Sequence, residues 1–368
     1  MRDISVVKPM KKLVCLLLVF ALIISVSAFS SCSDNGGKTA DNSPTEEYDK
    51  LLKQFAFKGE CYATADNKLV YNKGIAYSDE DKKLNNNENT IFFIASITKQ
   101  FTASAIMLLQ ERNMLSVSDT LSKYFPEYKY AGKITIDNLL RMRSGIPDYL
   151  NKEQTEVFKE NYNPYSHSAE DNRKVIRDYI FSQKLEFNPD TDFNYTNSGY
   201  FLLAEIIEKV SKTAYKDFLK KEIFDKLGMS STGFIDDKLP ENFALPYNIK
   251  DENEISYKIK GAAFGCGDMV SSAVDLTKWA DGFRNCKIIN KNSYKAMINP
   301  DKNKDYGCGL YITEDKKSVY HAGNYIPYKS SLLISLDDTD FTCVVLSNYN
   351  FIQVDYIAKS FKEFYDKR

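Results

Sequence analysis

The chain has 368 residues, 43% of them hydrophobic and 27% charged, a globular composition long enough for one large domain or two. Its 49 Lys and Arg against 50 Asp and Glu leave a net charge of −1, which removes any electrostatic case for binding nucleic acid or an acidic lipid surface.

At the N-terminus, Arg2, Lys8, Lys11 and Lys12 precede an apolar run over 13–24, and the small residues Ser25, Ser27, Ala28, Ser30 and Ser31 follow. This is the order of a secretory signal peptide, here 1–31. Cys32 then resembles the processing site of a bacterial lipoprotein, where the cysteine becomes the lipidated terminus. Phe29 stands where such sites usually carry Leu. The polar stretch 32–45, with Gly36, Gly37 and Pro44, reads as a flexible tether. Of the seven cysteines, Cys61, Cys266, Cys286, Cys308 and Cys343 remain beyond Cys15 and Cys32. Their scatter matches no metal site, and they read as buried small hydrophobes or as one or two bridges.

A short helix is expected over 46–57, and a hairpin over 59–65 and 68–77 turning at Asp66 and Asn67. Residues 79–89 read as a polar loop. A β-like run over 91–94 leads into a helix whose apolar positions Ile97, Phe101, Ala105, Leu108 and Leu109 recur every three or four residues. Asn113 closes it as a residue able to adopt a positive φ. This helix carries Ser96 and Lys99, which lie one turn apart on one face. A serine hydroxyl needs a nearby base, and a lysine whose pKa is lowered by its surroundings can be that base.

Residues 118–260 read as mostly helical and rich in loops. A helix starts at 135 and stops at Ser144-Gly145-Ile146-Pro147. Further apolar faces are Leu203, Ile206, Ile207 and Val210, then Leu219, Ile223, Phe224 and Leu227 before Gly228. Tyr195-Thr196-Asn197 falls in a loop ahead of the first of these. His167 lies in a polar loop. From 261 onward the pattern changes. Ser272 and Asp275 form a capping box opening a helix through Trp279. Strand-like runs follow at 306–313, 317–321, 330–336 and 341–347, then an amphipathic helix with Val354, Ile357, Phe361 and Phe364. His321 ends one of these strands, followed by Ala322, Gly323 and Asn324.

The three elements Ser96-x-x-Lys99, Tyr195-x-Asn197 and His321-x-Gly323, in this order, resemble the serine β-lactamase and penicillin-binding protein superfamily, whose S-x-x-K signature has two partner motifs downstream. The Tyr-x-Asn and His-x-Gly variants resemble its class C β-lactamase branch of D-Ala-D-Ala carboxypeptidases, D-aminopeptidases and esterases. Asn138-Leu139-Leu140, Leu227-Gly228-Met229, Ser271-Ser272 with Asp275-Leu276, and Tyr306-Gly307 with Gly309-Leu310 extend the likeness. Four positions depart from it: Met142 for a usual His, Asp190 for a usual Gly, Ala322 for Thr or Ser, and His321 for the lactamase Lys.

The resemblance implies an α+β fold of β-lactamase type. An antiparallel sheet built from both chain ends (46–117 and 261–368) is flanked by helices, with an inserted helical subdomain at 118–260, all within one domain 46–368. It implies a serine hydrolase working through an acyl-enzyme on Ser96. Lys99 or Tyr195 acts as base, and the choice between them stays open. Asn197 holds Lys99, and His321 orients Tyr195 or the substrate tail. The backbone N–H groups of Ser96 and Asn324 form the oxyanion hole, with Gly323 and Asn324 against the substrate. No metal or cofactor is called for. The expected substrate is a D-amino-acid peptide of cell-wall type or a small ester, with weak β-lactamase activity. The alternatives are a penicillin-binding sensor lipoprotein that turns over little and a true class C-like β-lactamase. The expected location is outside the cytoplasm, on the membrane through Cys32.

Overall fold

The computed structural model describes residues 44–150, 168–235, 238–247, 261–300, 302, 305–350 and 352–368. The stretch 1–31 expected to be a signal peptide, Cys32 and His167 lie outside the described residues. From the N-terminal side run α1 (Pro44–Gln54), β1 (Gly59–Ala65), β2 (Lys68–Ile75), β3 (Tyr77–Asp79), β4 (Leu84–Asn85) and β5 (Phe92–Phe93). A 3-10 turn, Ala95–Ile97, opens α2 (Thr98–Glu111). The middle of the chain holds α3 (Ile136–Leu140), α4 (Ala169–Ser182), α5 (Asn197–Ser211), α6 (Tyr215–Leu219) and α7 (Asp225–Leu227), the last two joined by a π turn, Lys220–Phe224. Then come β6 (Gly233–Phe234), β7 (Met269–Ser271), α8 (Ala273–Arg284), α9 (Lys291–Met297), β8 (Tyr311–Ile312), β9 (Ser318–Tyr325), β10 (Tyr328–Ser335), β11 (Thr342–Ser347) and α10 (Val354–Asp366).

The main sheet has the order β2-β1-β11-β10-β9-β8. Its pairs are all antiparallel, so strands from the two chain ends meet where Cys61 faces Val345. Period-two alternation sends one set of side chains to each face. Cys61, Ala63, Cys343 and Val345 point to a core closed by α1 and α10, where Tyr48 stacks on Phe361 at 4.2 Å. Val344, Leu346 and Val319 point to the larger core, shared with α2, α5 and α8. The hairpin turn has both central residues at positive φ, Asp66 at 49° and Asn67 at 58°, as a two-residue turn matched to strand twist requires.

Several expectations are corrected. The loop 79–89 contains β4, paired with β3. The strand expected over 306–313 shrinks to β8 plus a single bridge between Tyr306 and Tyr311. His321 does not end its strand, because β9 runs on to Tyr325. Asn197 is the first residue of α5 rather than a loop residue, and Thr196 caps it. Ser272 caps α8 by accepting from the Asp275 amide, but the Asp275 carboxylate turns to Ser231 and Thr232 instead of completing the box. Helix α9 carried no apolar periodicity strong enough to mark it, and Asn290 starts it by accepting from the amides of Asn292 and Ser293.

One residue on β1 works against the fold. Glu60 is fully buried beside Leu346 and Gly74. Among the described residues neither carboxyl oxygen has a well-formed hydrogen bond, although the Lys73 amide lies near enough to favour the charged form slightly. Burial, reinforced by nearby Glu88, pushes its pKa up to about 8 from 4.5. The folded protein therefore holds this proton while the unfolded chain has released it. Stability contributed by the protonated form is complete below about pH 4.5 and declines as pH rises to about 8. The Glu60→Gln variant should lack that decline. Thermal melts across pH 4–9 are expected to show the variant gaining on the wild type with rising pH, by on the order of a few kcal/mol at the alkaline end. Parallel curves would contradict this.

Candidate active site

The strand β5 and the 3-10 turn deliver Ser96 to the end of α2. Backbone bonds pin the turn: the Ile94 amide donates to Met269 O at 3.0 Å, and Ser330 Oγ donates to Ile94 O at 2.7 Å. Ala95 is held at φ 45°, a conformation that costs a non-glycine residue energy and is concentrated at functional sites. Strand β9 presses on this turn through Gly323. A Cβ there would lie 2.4 Å from Ile94 O and 2.9 Å from the Ala95 Cβ, so any side chain would push the strand off the turn.

Ser96 is partly exposed, whereas Lys99 is wholly buried. The Lys99 Nζ donates to Ser96 Oγ at 3.1 Å, to Asn197 Oδ1 at 2.8 Å and to the Cys266 carbonyl at 2.7 Å. Its charge also faces the Tyr195 ring at 4.9 Å. Burial pulls the Lys99 pKa down from 10.5 to about 8, opposed by Cys266, Asp148 and Asp268. Part of Asp268 reaches solvent, yet its carboxyl is packed deeply enough that desolvation pushes it up to about 7. Tyr195 Oη donates to Ser96 Oγ at 2.9 Å. Burial raises the Tyr195 hydroxyl far above its ordinary range, so it is a neutral phenol.

The loop that ends in α5 carries Tyr195, and the first residue of α5 is Asn197; both are laced to the loop that follows α3. The Asn194 amide donates to Met142 O, the Thr196 amide approaches Met142 Sδ at 3.4 Å, and Ser198 Oγ bridges Pro147 O and the Tyr149 amide. Asp190, in place of a usual Gly, sits at φ 69°. Its side chain holds it there, because the carboxylate accepts from Arg143 Nε at 2.9 Å and from Lys302. Aspartate visits the left-handed region more readily than most residues, so the substitution keeps the backbone shape.

His321 lies on β9, buried at 2% exposure. Its Nδ1 pairs with Ala322 O at 2.7 Å, which makes Nδ1 the protonated nitrogen and Nε2 an acceptor, 3.5 Å from the Tyr306 hydroxyl. Burial, helped by the Lys99 charge, pushes its pKa down to about 3, so it is neutral throughout the working range. Its ring is 6.0 Å from the Tyr195 ring, but the Tyr195 hydroxyl bonds to Ser96, and Nε2 lies 3.5 Å from the Tyr306 hydroxyl, which also bonds to Tyr200. The Asn324 side chain is exposed and accepts from Lys329 Nζ at 2.8 Å. The structure thus gathers Ser96, Lys99, Tyr195 and Asn197 into one hydrogen-bonded set, with His321 at its edge.

Three participants were missed from sequence. The Cys266 carbonyl is backbone and carries no residue signal. Tyr306 lies next to His321 only because it bridges Tyr311 on β8, which in turn pairs with Tyr320 on β9. Asp148 accepts from the Asn197 amide at 3.1 Å and from Asn197 Nδ2 at 3.0 Å and 3.2 Å. Its only sequence signal was its place after Ser144-Gly145-Ile146-Pro147.

Comparison with known proteins follows the same geometry. The family model described as Beta-lactamase matches residues 61–359. Penicillin-binding protein 4* of Bacillus subtilis is 29% identical over 328 residues, covering 82% of this chain and 70% of that protein. Other curated relatives are covered over 65–66% of their length, so the chain spans about two thirds of the proteins it matches. Among solved structures, a penicillin binding protein from Bacillus halodurans superposes with a TM-score of 0.74 at 22% identity, over 86% of this chain and 99% of that one. D-amino acid amidase from Ochrobactrum anthropi SV3 superposes at 0.70 and 21% identity, over 89% and 96%. With the family match running from β1 into α10, the chain belongs to the beta-lactamase family and is a serine hydrolase of the superfamily that includes the penicillin-binding proteins.

Proposed function

We propose that the chain hydrolyses D-amino-acid peptides of cell-wall type or small esters through an acyl-enzyme on Ser96. The observation that carries this reading is the set of partners around Lys99. Asn197 Oδ1 and the Cys266 carbonyl can only accept hydrogen bonds. A neutral Lys99 amine therefore spends both of its N–H groups on them, and its lone pair is left facing the Ser96 hydroxyl. With a pKa of about 8, roughly a tenth of the molecules are in that state at pH 7. Lys99 takes the Ser96 proton as the oxygen attacks the carbonyl carbon. Tyr195 is the wrong choice of base because burial opposes its phenolate. Its hydroxyl instead supports the attacking oxygen, then gives its proton to the leaving group and regains one from Lys99. Water repeats the sequence in reverse to free the acid. The backbone N–H groups of Ser96 and Asn324 serve as the oxyanion hole, a role supported by Gly323 bringing β9 against the nucleophile turn.

The substrate reading rests on the third motif and on the relatives. Their names, a penicillin-binding protein and a D-amino acid amidase, favour D-amino-acid substrates. His321 is a buried, neutral imidazole where a lactamase has a lysine cation, and Ala322 has no hydroxyl. A charge-assisted hydrogen bond is worth roughly 1.5–3 kcal/mol, so the grip on a penicillin carboxylate is weaker by at least about tenfold. We also infer export and attachment to the membrane through Cys32.

Three measurements check these readings. An acylating fluorophosphonate should add one label at Ser96, absent from Ser96→Ala, and a label persisting in that variant would overturn the nucleophile. Among a chromogenic cephalosporin, a D-alanyl dipeptide and a short-chain nitrophenyl ester, the cephalosporin should show the lowest kcat/KM, and the reverse order would overturn the substrate reading. Cys32→Ser should move the protein from the membrane pellet to the soluble fraction, whereas undiminished pelleting would place the anchor elsewhere.

A further inference from the structure

The Lys99 argument depends on Asn197 presenting its carbonyl and not its NH2 group. The ammonium form of Lys99 selects the carbonyl by itself, but the neutral amine that must act as base does not, because it accepts a hydrogen bond as readily as it donates one. A flipped carboxamide would donate to the Lys99 lone pair and occupy the position the Ser96 proton must reach.

We propose that Asp148 is a positioning residue for the reaction, fixing the Asn197 carboxamide so that only its carbonyl faces Lys99. The proposal rests on the Ser96 mechanism above. An ionised carboxylate accepts hydrogen bonds and donates none. Asp148 Oδ2 lies 3.0 Å and Oδ1 3.2 Å from Asn197 Nδ2, so the NH2 end is the one that must point toward Asp148. The same Oδ1 receives the Asn197 backbone amide at 3.1 Å, which fixes the start of α5 against the carboxylate. It also receives the Leu150 amide at 3.1 Å, which orients the carboxylate itself. The resulting order is directional: Asp148 accepts from Asn197, Asn197 accepts from Lys99, and Lys99 is left to accept from Ser96.

Asp148 has a second effect through charge. The titratable and charged groups facing Lys99 are Asp148, Asp268, the Cys266 thiol, Tyr195, Tyr200 and His321. Burial favours the neutral amine, while Asp148 and Asp268 favour the ammonium. Removing the Asp148 charge lowers the Lys99 pKa further, so the acid limb of the reaction moves to lower pH. A residue that merely packed the loop would reduce the rate without moving that limb.

The test uses the full chain and follows acylation of Ser96 by a nitrophenyl ester from pH 5 to 10 in wild type, Asp148→Ala, Asp148→Asn, Asn197→Ala and the Asp148→Ala/Asn197→Ala pair. Asp148→Ala should lower the plateau rate about 10- to 100-fold, the loss expected for a charged hydrogen-bond partner. It should also shift the acid limb to lower pH. The double variant should be no slower than Asn197→Ala, because residues acting through one another are not additive. Asp148→Asn keeps the shape and an acceptor oxygen, so it guards against simple misfolding. It should recover part of the plateau and keep the shifted limb. An unmoved limb in both Asp148 variants, or fully additive losses in the pair, overturns the proposal while leaving the Ser96 reading intact. A wild type that is not acylated at Ser96 overturns both.

Discussion

The burial of one lysine side chain governs the rest of this site. An ammonium removed from water loses several kcal/mol of solvation, and only well-placed acceptors restore part of it. Besides Ser96 Oγ, one turn away, Lys99 has two such acceptors supplied by distant parts of the chain: Asn197 Oδ1 at the start of α5 and the Cys266 carbonyl just before β7. The compensation is incomplete, and the remainder appears as a pKa of about 8. That deficit is what allows a lysine to act as a base near neutral pH.

Much of the architecture serves to keep that geometry fixed. Strand β9 approaches the nucleophile turn because position 323 is glycine. Gly309, at φ 77°, lies against the Lys99 carbonyl, where a Cβ would come within 2.5 Å. The backbone is thus approached at two points where a Cβ would clash, Ile94–Ala95 ahead of Ser96 and the Lys99 carbonyl after it. Strand β7 holds Ile94 through Met269 O, and the laced loops 142–149 and 186–198 hold Asn197. The sheet that unites the two chain ends supplies β9, and the helical part supplies Asn197, so the site exists only when both are folded.

What was legible in the sequence divides along physical lines. Ser96 and Lys99 were readable because their meeting is local, one helical turn apart. The hairpin at Asp66 and Asn67 and the closure at Gly228 were readable for the same reason, since turn and cap chemistry is written in adjacent residues. Tyr195, Asn197 and His321 stood out only through the resemblance, because their separation along the chain carries no local signal. The surroundings of His321 were not legible: which ring nitrogen carries a proton depends on the Ala322 carbonyl, and what faces the other depends on how Tyr306 is carried to β9 through β8. Asp148 and the Cys266 carbonyl were invisible for a stronger reason, as their part is defined wholly by tertiary approach to groups 49 and 167 residues away. The two departures at Asp190 and Met142 are now intelligible. Asp190 stays at a glycine-like φ by binding Arg143 and Lys302, and Met142 lends its sulfur and carbonyl to the Tyr195 loop.

The central claim is that a buried, partly neutral Lys99 is the base that activates Ser96. The most direct test is the pH dependence of the second-order rate at which a neutral fluorophosphonate acylates Ser96, measured on wild type and on Lys99→Arg. The wild-type rate should rise tenfold per pH unit and level off near pH 8, the value at which Lys99 loses its proton. Lys99→Arg, always protonated, should react far more slowly and show no such limb. A wild-type profile that is flat from pH 6 to 9, or an arginine variant that keeps the same limb, would contradict the account.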